Sequence, residues 1–371
     1  MPAALKFKVR HAEPRVTEAE RERRLADPGF GRIFTEHMVR IRWNAAEGWH
    51  DGELVPYEPL VLDPGTSVLH YAQAVFEGLK AFRLARGGVA AFRADAHATR
   101  FRNSARRLAL PELPEELFLE AIDVLLDADH EWVPSAPEQS LYLRPLMFAS
   151  EVTLSVHPAD QVTFLLIASP SGSYFPRGVQ PVTVWLSEDF SRAAPGGTGE
   201  AKTGGNYAGS LLAQAQAAAQ GCDQVVWLDS NEHRWVEEMG GMNLCFVFGR
   251  GARARVMTPA LTGTLLPGVT RDSLLTLGRD LGYETEEGRI SVDGWRSGCE
   301  GGSLTEVFAC GTAAVITPVG AVKSARGSWT VGDAGPGEVT MRLRQALVDV
   351  QRGAAPDPHE WLYHARVSSE H

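Results

Sequence analysis

Lys202 lies in the stretch Glu200-Ala-Lys-Thr-Gly-Gly-Asn-Tyr207, followed downstream by Val236-Glu-Glu238-Met-Gly-Gly-Met-Asn243 and by Leu266-Pro-Gly-Val-Thr-Arg271. A partly desolvated lysine can hold its amine neutral, and neutral amines condense with aldehydes to a Schiff base. A carboxylate such as Glu238, set against a pyridine nitrogen, keeps that ring protonated and ready to accept electrons from a substrate that loses its Cα proton. Gly268, Val269 and Thr270, ahead of the amphipathic run 272–281, offer helix-start N–H groups and a dipole that suit a phosphate. An aldehyde, a pyridine and a phosphate together describe pyridoxal 5'-phosphate.

Taken singly these features are ordinary: a lysine among glycines usually sits in a solvated loop, and Pro-Gly is common helix-start punctuation. Their order gives them weight. Residues 207–220, rich in Ala, Leu and Gln, read as a helix stopped at Gly221. Residues 223–228 read as a buried strand, 230–233 as a turn and 234–237 as the returning strand, which brings Glu238 back toward the helix start. A nucleotide-binding loop fits Gly196-Gly-Thr-Gly-Glu-Ala-Lys202-Thr203 poorly, because Ala201 replaces the glycine before the lysine and Glu200 would put an anion into the phosphate cradle.

With 371 residues the chain is long enough for two domains. A net charge of −10 argues against nucleic acid or an anionic membrane as the main partner. No apolar run is long enough to span a bilayer, and the charged first thirty residues do not resemble a signal peptide, so a cytoplasmic protein is expected. Cys222, Cys245, Cys299 and Cys310 are too irregularly spaced for a zinc site or a redox pair and are expected to be reduced, mostly buried thiols. No histidine pair with a nearby acid supports a metal site, and none is expected.

Along the chain, 33–43 and 52–62 alternate like strands and 71–82 carries a helical stripe. Residues 95–108 and 114–130 read as helices opened by acids, 140–149 and 161–168 as apolar strands, and 337–352 as a closing helix. The Gly/Pro-rich segment 170–178 is the expected linker, dividing the chain at 1–175 and 176–371. Strands and helices alternate on both sides of it, which indicates an α/β architecture.

The segments Tyr71-Ala-Gln-Ala-Val-Phe-Glu-Gly-Leu-Lys-Ala-Phe82, Tyr142-Leu-Arg-Pro145, the Lys202 stretch, Glu237-Glu-Met-Gly-Gly-Met-Asn243, Leu265-Leu-Pro-Gly-Val-Thr-Arg271 and Gly311-Thr-Ala313 together resemble the branched-chain amino acid aminotransferases, in order, from about Phe30 to the last helix. These are class IV pyridoxal phosphate enzymes of fold type IV. The resemblance implies a smaller N-terminal α/β domain and a larger C-terminal domain with a mixed, barrel-like sheet that carries the lysine. It also implies a homodimer.

Position by position, the resemblance implies that Lys202 bonds the cofactor and shuttles the proton between Cα and C4′, and that Glu238 rather than Glu237 meets the pyridine. It gives Tyr207 the phenolic oxygen, and Arg100 the phosphate together with Val269 and Thr270. The amides of Thr312 and Ala313 and the Tyr71 hydroxyl would hold the α-carboxylate, with Tyr142 and Arg144 close by and Phe30 and Phe76 walling an apolar pocket. The implied reaction is ping-pong transamination between leucine, isoleucine or valine and 2-oxoglutarate, giving branched-chain 2-oxo acids and L-glutamate. Arg144 is the candidate for a polar group at the pocket's edge. D-amino acid aminotransferases and aminodeoxychorismate lyases share the lysine and acid roles but lack the Tyr142-Leu-Arg-Pro context. Animal members carry a Cys-x-x-Cys pair where this chain has Ala314 and Thr317, and some members have threonine where it has Gly241.

Overall fold

The computed structural model describes residues 5–172 and 179–367, and the chain divides into two compact units: Met1–Tyr174 with Ala201–Gly204 and Val350–His371, and Phe175–Glu200 with Gly205–Asp349. The expected cut after residue 175 lies outside the described residues. Pro170 and Ser171, read as linker, instead finish a strand. The short segment that contains Lys202 groups with the first unit, as does the chain after the last helix.

The first unit is built on one sheet of β1 (Lys8–Val9), β2 (His37–Asn44), β3 (Gly48–Pro56), β4 (Ala74–Phe76), β5 (Leu79–Arg83), β6 (Val89–Phe92), β7 (Ser140–Ala149) and β8 (Gln161–Ser171). The order is β1-β3-β2-β8-β7-β5-β6, completed by strand Leu362–His364 on β6, with β4 also beside β7. Helices Ala94–Arg107 and Glu115–Asp129 each bury one apolar stripe on it. Phe101, Phe118 and Phe164 meet there with ring centroids 5.7 to 6.4 Å apart. His37 and Asp129, both fully buried, satisfy each other. The Nε2 of His37 accepts from the Ala12 amide at 2.9 Å, which leaves the proton on Nδ1 for Asp129 at 2.6 Å.

The expected helix over 71–82 is not formed. A single turn, Val68–Tyr71, is followed by β4 and β5. Apolar residues at 75, 76, 79 and 82 suit a helix or two short strands, and pairing with β7 (Ala74 with Phe148, Leu79 with Leu143) decides for strands. Gly78 separates them because a Cβ there would lie 1.8 Å from the Tyr142 hydroxyl. The second expected strand also shifts, starting at Gly48 and ending at Pro56, which leaves 57–64 irregular.

The second unit holds β9 (Val182–Ser187), β10 (Gln224–Leu228), β11 (Val236–Met239), β12 (Met242–Phe248), β13 (Arg255–Pro259), β14 (Glu284–Gly288), β15 (Leu304–Gly311), β16 (Val315–Ser324) and β17 (Gly327–Thr330). The order β11-β10-β9-β16-β15-β12 closes on itself through β11–β12 pairing, giving a six-stranded barrel, with β13 and β14 extending from β12 and β17 from β16. Closure leaves the ring without open edges. Trp295 packs edge-on against Phe246 and Trp329 at 5.3 and 5.7 Å. The expected helix 207–220 is two helices, Gly204–Ala208 and Leu211–Ala219, broken where the Ser210 hydroxyl donates to the Tyr207 carbonyl at 2.6 Å. The closing helix Glu338–Gln351 takes its N-terminal partner from afar: Glu306 accepts from the Val339 and Thr340 amides.

Because Gly78 is filled from across the sheet by a ring that is itself buried, Gly78→Ala should destabilise the protein by about 1–3 kcal/mol, read as a lower denaturation midpoint at unchanged slope.

Candidate active site

In the first unit, the Lys202 backbone is fixed on both sides. Its amide donates to the Ser104 hydroxyl on helix Ala94–Arg107 at 2.9 Å, and its carbonyl accepts from the Phe76 amide at 3.0 Å. The Thr203 hydroxyl reaches the Ala74 carbonyl at 2.8 Å, and Thr203 bridges Val75, so the lysine segment is an extra rung on the free side of β4. The Lys202 amine stands 5.0 Å from the Phe76 ring centroid.

Phe76 gathers further expected residues. The Arg144 guanidinium lies 5.0 Å from its centroid and 5.2 Å from that of Tyr142, whose hydroxyl accepts from Arg144 at 3.0 Å. Phe30 meets Tyr142 edge-on at 5.1 Å. The Arg144 Nε has no hydrogen-bond partner among the described residues. Tyr71 is engaged elsewhere, its hydroxyl donating to the Leu154 carbonyl at 2.5 Å.

Arg100 is buried and forked onto Glu77, with Nε to Oε2 at 2.7 Å and Nη2 to Oε1 at 2.6 Å. His97 stands 3.3 Å from the same carboxylate. Burial pushes the Glu77 carboxyl up, yet the Arg100 and His97 charges and hydrogen bonds hold it well below the usual carboxylate range. Burial lowers His97 below its ordinary value against the upward pull of Glu77, and the charges of Arg100 and Lys202 add to the lowering. None of the sequence patterns pointed to Glu77, although it is the acid closest in sequence to Phe76.

In the second unit, Glu238 sits on β11, opposite Asn243 across the Gly240-Gly241 turn, and is 1 % exposed. Its Oε1 accepts from the Leu266 amide at 2.6 Å and the Asn243 amide group at 3.3 Å, and its Oε2 faces the Arg192 Nε at 3.1 Å. Arg192 carried no signal in the sequence, being one arginine in a polar loop. Its Nη1 also donates to the Thr264 carbonyl at 2.8 Å and the Gly199 carbonyl at 3.3 Å.

Asn243 donates as well to the Leu266 carbonyl at 3.1 Å and presses on Gly268, where a Cβ would lie 1.9 Å from its Oδ1. Only glycine fits there, directly before helix Val269–Asp280. No side chain caps that helix, and Val269 and Thr270 are buried at its start. An uncapped, buried helix start is what a bound phosphate group would complete.

Tyr207 lies against the hairpin, with its Cε1 3.1 Å from where a Cβ of residue 241 would be. A threonine at 241 would therefore displace the ring. Thr312 and Ala313 form the tip between β15 and β16, and the pairing of Cys310 with Asn243 sets that tip at the same barrel end as Glu238. Among the described residues, no group of three or more His, Cys, Asp or Glu could hold a metal, and no helix is long and apolar enough to cross a membrane.

The family model for class IV amino-transferases matches residues 74–322. The probable branched-chain-amino-acid aminotransferase of Streptomyces coelicolor is 61% identical over 94% of this chain and 95% of its own length. That of Mycolicibacterium smegmatis is 56% identical, over 96% and 98%. Among solved structures, the Escherichia coli branched-chain amino acid aminotransferase has a TM-score of 0.72 at 29% identity, covering 88% of this chain and 99% of that one. The T.th. enzyme with pyridoxamine 5'-phosphate gives 0.72 at 30%, covering 88% and 98%. It is also known with N-(5'-phosphopyridoxyl)-L-glutamate.

The chain belongs to the branched-chain aminotransferases of class IV. It is thus a transferase of fold type IV, and the closed barrel of the second unit is the barrel-like sheet expected of that fold.

For a class IV enzyme the Glu77–Arg100 pair has a measurable cost when broken. Glu77→Gln leaves a buried guanidinium without its anion and should lose about 3–5 kcal/mol. The pH dependence has a definite sign. The Glu77 carboxyl is depressed in the fold below its ordinary 4.5, so its stabilisation is present above that value and is lost as pH falls toward the folded one. His97, depressed below 6.5, adds a loss of the same sign nearer neutrality. Urea titrations of the wild type from neutral pH to about pH 4 should show stability falling, first through His97 and then through Glu77, whereas a flat profile would reject the buried ion pair.

Proposed function

We propose that the chain transfers the amino group of leucine, isoleucine or valine to 2-oxoglutarate, by two half-reactions on pyridoxal 5'-phosphate, yielding the branched-chain 2-oxo acid and L-glutamate. The observation that carries the reading is Lys202, a lysine whose backbone is held by β4 and by Ser104 while its amine faces an aromatic wall. The ligands of the two T.th. structures support the cofactor and the glutamate product. When bound, the cofactor supplies an aldehyde for the amino group and a ring that takes up the electrons of the broken Cα–H bond.

The residues divide the remaining work. Lys202 would hold the cofactor through its amine and would carry the proton lost from the substrate Cα. Glu238, which accepts from the Leu266 amide and Asn243 and faces Arg192, would keep the proton on the pyridine nitrogen. Tyr207, fixed against Gly241, would hydrogen-bond the phenolic oxygen. The uncapped amides of Gly268, Val269 and Thr270, with Arg100, take the phosphate, and Glu77 pre-orients the Arg100 fork while offsetting part of its charge.

Phe30, Phe76 and Tyr142 give the branched side chain an apolar wall, and Arg144 offers a cation to the side-chain carboxylate of 2-oxoglutarate. The Thr312 and Ala313 amides and Tyr71 take the α-carboxylate, for which Tyr71 must first release Leu154. One methylene in such a pocket is worth only about 1–3 kcal/mol, so all three branched amino acids should serve.

A homodimer in the cytoplasm completes the proposal. Val61 is 98% exposed, and Leu60, Leu62, Leu69, Val152, Leu154 and Val156 are exposed as well. Bonds from the Ser67 amide to the Glu151 carbonyl and from the Thr153 amide to the Gly65 carbonyl join the two segments that carry them, and exposed apolar residues in such number suit a surface covered by a second copy. The four cysteines are unpaired, which suits a reducing compartment.

Two measurements test this. Borohydride reduction of the cofactor-loaded protein should fix the label on Lys202, and Lys202→Ala should lose turnover by orders of magnitude; a label elsewhere rejects the assignment. Val61→Asp with Leu154→Asp should shift light-scattering mass toward the monomer, whereas an unchanged mass removes the patch as the subunit interface.

A further inference from the structure

Glu237 and Glu238 are adjacent on β11, so their side chains leave the strand on opposite faces. Glu238 is accounted for. Glu237 is also a buried carboxylate, at 7 % exposure, and its only hydrogen-bond donor among the described residues is the Thr264 hydroxyl at 2.5 Å. The Thr264 oxygen is bonded in turn to the Thr262 hydroxyl at 2.8 Å. Glu237 lines a cavity of about 250 Å³ with Asp229, Trp235, Thr262 and Arg289.

Thr264 ties the two faces together. While its hydroxyl donates to Glu237, its carbonyl accepts from the Arg192 Nη1, and the Arg192 Nε pairs with Glu238. Two residues on, the Leu266 amide donates to Glu238 directly. The segment 264–266 therefore holds Glu238 twice, through its own backbone and through Arg192. The fit is close: a Cβ on Gly199 would lie 2.3 Å from the Thr264 carbonyl.

We propose that Glu237 is a positioning residue for transamination: by anchoring Thr264 it fixes both the Leu266 amide and Arg192 on Glu238, and so sets the strength with which Glu238 holds the pyridine proton. The inference rests on the assignment of Glu238 to the pyridine nitrogen. Burial, with Asp229 adding to it, raises the Glu237 carboxyl above its ordinary value, against the Thr264 hydrogen bond and the pull of Arg192 and Arg289. A carboxylate left with one donor beside a cavity is a costly arrangement unless that one bond matters.

The test uses the cofactor-loaded full chain. Glu237→Ala, Thr264→Val and Arg192→Lys should each move the cofactor's visible absorption band and its pH titration, and lower kcat about 10- to 100-fold while KM for leucine changes little. Glu237→Ala combined with Thr264→Val should be no worse than either alone, since both break one link. Formate, small enough for the enlarged cavity, should return the band of Glu237→Ala toward the wild-type position. If Glu237→Ala does not fold, the isosteric Glu237→Gln carries the spectral test, with a smaller shift expected. Variants that lose thermal stability yet keep the wild-type band and titration would overturn the inference. A wild-type protein with no cofactor band after adding pyridoxal phosphate would instead overturn the proposed function.

Discussion

A carboxylate at 1 % exposure must be kept ionised if it is to hold a proton on a pyridine, and much of the second unit answers that requirement. An isolated buried carboxylate would neutralise itself by taking up a proton. Around Glu238 stand a backbone amide, a side-chain amide and a guanidinium, donors of the kind that favour a charged carboxylate. Each donor imposes geometry on its surroundings. Leu266 has to present its amide, so 264–266 runs beside β11. Asn243 has to reach across the hairpin, so Gly268 has to be glycine. The same placement starts helix Val269–Asp280 next to the acid. One buried carboxylate thus fixes where that helix begins.

The first unit solves a related problem differently. Glu77 and Arg100 are both buried and satisfy each other through a fork that lysine could not make. The pair stands at the junction of β4 with β5, and the Lys202 carbonyl is bonded to the Phe76 amide of β4. A backbone held in this way can keep the Cα in place while the amine changes partners, which is what the proposed Schiff-base role would require.

Part of the fold was legible because its signals are local. Helices Ala94–Arg107 and Glu115–Asp129 were readable from acids at their starts and apolar stripes, and Lys202, Glu238 and Gly268 to Thr270 stood out as candidates through the glycines beside them. What was hidden depends on partners far away in sequence. The stretch 71–82 satisfies a helical period as well as two strands, and only β7 and the Tyr142 ring filling Gly78 separate the cases. Arg192 is invisible because its meaning comes from three carbonyl and carboxylate oxygens at 199, 264 and 238. Tyr71 was placed by resemblance at the substrate, and the bond from its hydroxyl to the Leu154 carbonyl has no signal in the sequence. Gly209-Ser210 breaks a run whose composition favours helix throughout, because a hydroxyl competes for the backbone.

The aromatic wall shows how one pocket can meet opposite demands. Phe30, Phe76 and Tyr142 present faces and edges, and the Arg144 guanidinium stacks on two of those rings rather than projecting as a bare charge. Stacked in this way, a cation exposes a flat surface that an aliphatic side chain can contact without an unpaired charge pointing at it. The same plane keeps N–H groups at its rim, and its Nε has no partner among the described residues. In the proposed reaction a carboxylate side chain would use that rim and a branched one the face, so that alternating between them would need a small turn of one side chain, not a rebuilt pocket.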